Sequence, residues 1–181
     1  ELSKGINGET VGLVVRDRAT NWVDARGLTT KDGSRARIAL VQILGREKCH
    51  LMHTDGSGEL KQACEALDIP HDKALAGDPR NNSRAERSNR YVLEGARDIL
   101  LRSGLPTHFW PYAVEYFCLC CNIRRWNGKP SAWCRRFGEE FPADFPLIPF
   151  GAQIDFLPSE VNKKVRGKCG PKGVPGIFLG Y

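Results

Sequence analysis

Residues 84–102 run without a proline, and Ala85, Val92, Ala96, Ile99 and Leu100 recur along them at helical spacing until Gly104 and Pro106. That spacing predicts a long amphipathic helix, and its apolar stripe must lie against another layer of structure. The partners for that layer precede it. Residues 11–15 are an apolar run, and residues 22–28 alternate loosely, so the two predict antiparallel neighbours at the start of a sheet. Ile38, Val41 and Leu44, widened by Ala39, Leu40 and Ile43, predict a helix over 31–44, with Asp32 or Ser34 as cap and Gly45 as stop. Residues 48–53 read as a further strand and 58–67 as a helix with Leu60, Ala63, Cys64 and Leu67 on one side. An extended segment begins at Ile69-Pro70-His71, and the turn-forming residues 77–83 predict a mobile loop. A second long helix, about 109–124, points Trp110, Ala113, Val114 and Phe117 inward. After Trp126, glycine and proline rise, and β-like pieces appear at 151–157, 164–165 and 176–181. The organisation expected is an α/β domain over 1–139 and a small β-rich extension over 140–181.

Two carboxylates stand out against this outline. Asp55 closes the strand-like run that precedes it, and Glu86 sits in the first turn of the long helix. Acids from two elements that meet suit Mg2+ or Mn2+, hard cations that take oxygen ligands from protein and phosphate together. Each has a plainer role as well. Asp55-Gly56 is a turn signal, and Ser83-Arg84-Ala85-Glu86 matches a capping box in which Glu86 folds back onto the Ser83 amide. Arg80, Arg84, Arg87 and Arg90 surround Glu86, and the guanidinium fork binds phosphate in two places at once. The alternative is a solvated face on which Arg90 and Arg97 pair with Glu94 and Glu86. His50 and His53 alternate before Asp55 and read as packing or surface residues, while Trp110 and Trp126 read as core rather than as base-stacking platforms.

A net charge of +6 favours a polyanionic partner without specifying one. The cysteines, at 49, 64, 118, 120, 121, 134 and 169, are odd in number and lack paired zinc-ligand spacing, so buried, reduced thiols are expected. The start ELSKGINGET lacks the form of a secretory signal, and no run of eighteen apolar residues occurs. The chain therefore reads as soluble and intracellular, with no membrane partner.

The segments HTDGSGE and NNSRAERSNRYVLEGAR together resemble the second and third acidic motifs of a retroviral-type integrase, in the form found in copia-type retrotransposons. GLVVRDRAT is similar to that family's second core strand, SGLPTHFWPYA to the segment after the catalytic helix, and GIFLGY to the stretch closing the integrase region. The resemblance implies an RNase H-like mixed sheet flanked by helices. It also implies a metal-dependent polynucleotidyl transferase that processes and joins retroelement DNA ends to target DNA with Mg2+ or Mn2+, working as a homo-oligomer on nuclear DNA. Asp55 and Glu86 take the places of the second and third metal-binding acids, and Asn82 that of the loop asparagine before the catalytic helix. The family's first acid lies on a strand upstream of the one matched here, so the resemblance implies a sheet truncated at its first strand. These residues alone are then expected to be inactive. Asp17 falls where the family commonly has a non-catalytic acid. Two further readings stand beside this one: a non-catalytic nucleic-acid-binding domain derived from a retroelement, and a nuclease of the wider RNase H-like group.

Overall fold

Strands β1 (Val11–Arg16) and β2 (Val23–Leu28) form an antiparallel ladder that pairs Val11 with Leu28 and Arg16 with Val23. The computed structural model describes residues 3–54, 56–73, 79–157 and 173–181. Successive side chains of a strand point to opposite faces, and β1 uses both. Leu13 and Val15 pack with the cluster of Ala36, Leu40, Met52, Ala63 and Cys64, whereas Val14 packs with Val92, Ala96, Ala113 and Val114. The ladder is thus covered on one face by α1 (Gly33–Leu44) and α2 (Gly58–Glu65), and on the other by α3 (Pro79–Ser103) and α4 (Trp110–Ile123). This is the layered α/β arrangement expected.

The strands do not merge into one sheet among the described residues. β3 (Met52–Thr54) and β4 (His71–Lys73) form a separate parallel ladder, and β5 (Gln153–Phe156) and β6 (Val174–Ile177) an antiparallel one. The free edge of β1 and β3 border a common cleft of about 1750 Å³. α1 residues such as Leu40 and Ile43 line one side of it, and α3 residues such as Ala85 and Ser88 another.

Local chemistry accounts for the element ends. The Asp32 carboxylate accepts the Arg35 amide at 2.9 Å and caps α1, while Gly45 ends that helix at positive φ. The buried face of α1 is Ala36, Ala39, Leu40 and Ile43; Ile38 and Val41, expected inside, are exposed, because the small alanines let the helix sit closer. α3 starts at Pro79, several residues before the expected start, since a proline fits the first turn, where its missing amide has no partner to lose. Residues 79–83 are therefore helix rather than loop; 74–78 lie outside the described residues. Ser83 lies within the helix and is not its cap, so the capping-box reading of Glu86 fails. A fifth helix, α5 (Ala132–Phe137), was not expected; Ser131 caps it by accepting the Cys134 amide at 3.0 Å, and left-handed Gly138 ends it.

α3 and α4 pack closely at Gly95. A Cβ built there would lie 2.1 Å from the Cε2 and Cζ atoms of Phe117. The aromatic ring occupies the space that a side chain would need. Trp110 is buried as expected, whereas Trp126 is exposed, since it follows the end of α4 instead of extending its inner face. Phe150 joins the core beneath α4, and the Tyr116 hydroxyl donates to the Ile148 carbonyl at 2.8 Å. The piece expected at 164–165 lies outside the described residues. No described helix is long and apolar enough to cross a membrane.

Gly95→Ala should lower stability by about 1–3 kcal/mol, the usual cost of overpacking a core, read as a fall in urea midpoint. The double variant with Phe117→Leu should lose less than the two single changes added together; strict additivity would show that ring contact at Gly95 is not the cause.

Candidate nucleic-acid and metal site

The cleft collects the neighbours in sequence of both candidate acids. Thr54 and Ser57, on either side of Asp55, border it, as do Ala85 and Arg87, on either side of Glu86. Asp55 itself lies outside the described residues. The backbone beside it is fixed by Thr54, whose hydroxyl accepts the Gly56 amide at 3.2 Å and lies 2.7 Å from the His71 Nε2 atom. One side chain thereby ties the end of β3 to the start of β4. His53 is a surface residue, as expected, with Nδ1 3.1 Å from the Asp72 carboxylate.

α3 presents the basic residues on more than one flank. Arg84 and Arg87 line the cleft together with Asn89, and the Arg87 Nε atom donates to the Ser83 carbonyl at 3.0 Å. Glu86 and Arg90 are exposed, one turn apart, and do not line it. Among the described residues Glu86 forms no ion pair, and the wet-face pairing of Glu86 and Glu94 with Arg90 and Arg97 is absent; the one ion pair along α3 joins Arg102 to Asp98 at 2.9 Å. The helix passes through Arg80 and Asn82, but their side chains lie outside the described residues.

Three cleft residues escaped the sequence reading. Tyr91 stands seven residues after Arg84, a spacing that returns to the same flank of a helix and marked it in advance. Arg16, at the end of β1, places its guanidinium carbon 6.0 Å from the centre of the Tyr91 ring. Arg136, from α5, lies 4.4 Å over Trp22 and bonds Glu47 at 2.8 Å, closing one rim of the cleft; no local sequence signal pointed to it. Asp17 also borders the cleft but is engaged by its own turn: it accepts the amides of Ala19 at 3.1 Å and Thr20 at 3.0 Å and the Thr20 hydroxyl. Partial burial works against its ionisation, yet these bonds and Arg136 outweigh it and hold the carboxyl below the usual range. Desolvation raises the thiol pKa of Cys49, Cys64, Cys118, Cys120, Cys121 and Cys134; of these, Cys64 and Cys118 are buried in the core as expected, and the other four are half-buried.

The fold is that of an integrase catalytic core of the RNase H-like type. The solved catalytic core domain of BIV integrase aligns with 67% of this chain and 82% of its own length, at a TM-score of 0.53 and 15% identity. The sequence relatives are retroelement polyproteins. The chain is 29% identical over 160 residues to the retrovirus-related Pol polyprotein from transposon TNT 1-94 of Nicotiana tabacum, covering 79% of this chain and 11% of that protein. It is 34% identical over 104 residues to the truncated transposon Ty1-A Gag-Pol polyprotein of Saccharomyces cerevisiae, covering 56% of this chain and 8% of that protein. The chain thus spans about a tenth of the length of these relatives. No protein-family model matches it. The chain is thus similar in sequence to retroelement polyproteins and in fold to a retroviral integrase catalytic core, in keeping with the copia-type motifs that it resembles.

A second group of carboxylates lies away from the cleft, where β2 meets α4. Arg26 bonds Asp24 at 2.6 Å and lies 3.9 Å from Glu115. Burial raises the pKa of both acids; Asp24 and Glu9 raise Glu115 further, and Arg26 opposes the shift in each. Raised folded-state values mean that the folded protein binds protons more tightly than the unfolded chain, so these groups favour folding at low pH and cost stability as pH rises past the ordinary carboxylate range. Glu115→Gln removes one such group. It should raise Tm at neutral pH by on the order of 1–2 °C, with the gain vanishing in mild acid; a gain equal at both pH values would assign the effect to packing.

Proposed function

We propose that this chain is the catalytic-core portion of a retroelement DNA-joining enzyme, a polynucleotidyl transferase acting on element ends and target DNA. The observation that supports the reading is the cleft that α3 lines with Arg84 and Arg87 and that Thr54 and Ser57, near Asp55, also border, with Glu86 exposed on the same stretch of α3. Asp55 and Glu86 would hold Mg2+ or Mn2+, all-oxygen donors of the kind these ions prefer. When bound, the metal supplies charge neutralisation at phosphate and activation of the attacking oxygen. The chain's own residues do the positioning. Arg84 and Arg87 face the cleft and can each grip a phosphate in two places. Arg80, Asn82 and Arg90 extend the contact along α3. Thr54 fixes the backbone beside Asp55, and Ser88, whose hydroxyl donates to the Arg84 carbonyl at 2.9 Å, seats the first turns of the helix. Contacts of this type set the register of DNA without reading its sequence.

The same reading assigns residues 1–139 to the core and 140–181 to an appended unit, with action on nuclear DNA and as a homo-oligomer. The relatives similar to this chain are polyproteins, so joining is assayed with the chain in a polyprotein form of that kind.

In that polyprotein form, Asp55→Asn and Glu86→Gln should each lower the joining of short DNA ends in Mg2+ or Mn2+ by more than about a hundredfold while duplex affinity is kept. Arg84→Ala and Arg87→Ala should weaken duplex binding and flatten its salt dependence by about one counterion each. Undiminished product in both acid variants would overturn the metal assignment. DNA affinity with no metal-dependent product from the unaltered protein would favour the non-catalytic binding domain.

A further inference from the structure

An exposed ribbon of alternating cations and rings leads out of the cleft and is not needed for the acids or the metal. It begins with Arg16 over Tyr91, both on the cleft wall. Tyr91 is 48% exposed, and its inner edge is held by a T-shaped contact with Phe117 at 5.2 Å. It continues across the end of α4, where the Cys121 Sγ atom lies 3.5 Å from the Tyr91 hydroxyl, to Arg124 just beyond, whose guanidinium carbon lies 4.9 Å over the Trp126 ring. Trp126 is 62% exposed. The turn that carries it is rigid: Asn127 and Gly128 have φ values of 50° and 71°, the two left-handed positions of a tight hairpin turn, and the Lys129 amide donates to the Trp126 carbonyl at 3.0 Å.

The local charge is unbalanced in one direction. Arg125 is taken up by Glu140 at 2.6 Å, and the Asp17 carboxylate beside Arg16 is taken up by its own turn. Among the described residues Arg16 and Arg124 enter no ion pair. Large aromatic surface left in water, already ordered and flanked by unpaired guanidiniums, suits a ligand that offers flat rings and phosphates in alternation. A duplex hides its rings in the stack, whereas a single strand exposes them.

We propose that Arg16, Tyr91, Arg124 and Trp126 form a binding surface for single-stranded DNA, with bases stacking on the two rings and the guanidiniums taking the phosphates between them. The surface continues the DNA reading of the cleft, and so extends the proposed function, but it requires neither metal nor the two acids.

The test uses the 181-residue chain in buffer with chelator, so its outcome is independent of the joining reaction. A fluorescein-labelled oligothymidylate should bind with quenching of tryptophan emission. Trp126→Ala and Arg124→Ala should each weaken binding about tenfold, the usual scale for losing one stacked base. Trp126→Phe should retain most of the affinity, because a ring remains. A blunt duplex should bind with an affinity that Trp126→Ala leaves unchanged, and unaltered circular dichroism and Tm in that variant show that the fold is kept. Oligothymidylate binding by Trp126→Ala equal to wild type would overturn the proposal, as would equal losses for single strand and duplex.

Discussion

The side-chain amide of Asn122 closes on both backbone groups of a single residue: its Oδ1 atom accepts the Val23 amide at 2.9 Å, and its Nδ2 atom donates to the Val23 carbonyl at 2.7 Å. Asn122 is 2% exposed and Val23 1%, so neither group has water to fall back on, and leaving either unsatisfied costs about 1–3 kcal/mol. α4 therefore serves β2 as a substitute strand at that point, and the helix has one permitted height and rotation against the sheet. α3 inherits the constraint. It packs on α4 where Gly95 admits the Phe117 ring, and it also packs against β1. The cleft is the space left by those fixed positions, so its width is decided by core packing some distance from the polar residues that line it.

What the cleft can do follows from its charges. Its lining carries both signs: Arg16, Arg84, Arg87 and Arg136 reach it from three different elements, while the carboxylates that also border it are engaged locally, Asp17 by its own turn, Glu47 by Arg136, Glu59 by Lys31 and Asp72 by His53. Arg136 also closes the rim mechanically, held by the Trp22 ring and Glu47. The Asp24, Arg26 and Glu115 group is not part of the cleft lining. The ribbon through Tyr91 and Trp126 adds flat apolar surface beside that charge, the feature on which the proposed preference for a single strand rests.

Much of this was legible in the residues. The stripe Val92, Ala96, Leu100 marked the buried face of α3, and Trp110, Ala113 and Val114 that of α4, because a long helix with one apolar face leaves few ways to pack. The order of motifs also carried the family resemblance, since joint occurrence is informative where single motifs are not. The features missed share a cause: tertiary contact overrode local preference. Pro79 reads as a loop residue until the helix after it needs a first turn. α5 hides in a glycine- and proline-rich stretch and gains its stability from the Trp22, Trp133 and Phe137 cluster, which only the folded chain assembles. Ile38 and Val41 look like core, but Ala36 and Ala39 allow closer approach on the adjacent face. Trp126 looks buried by composition and is exposed by its place in a two-residue turn.

In the proposed site the side chains at positions 55 and 86 share one cation. Crystals of the chain soaked in Mn2+ and measured at the manganese absorption edge test it most directly. An anomalous peak is expected with oxygen atoms of Asp55 and Glu86 among its ligands, at roughly 2.0–2.2 Å for a hard divalent ion. Carboxylates that face apart, with manganese bound elsewhere or absent from the cleft, would contradict it.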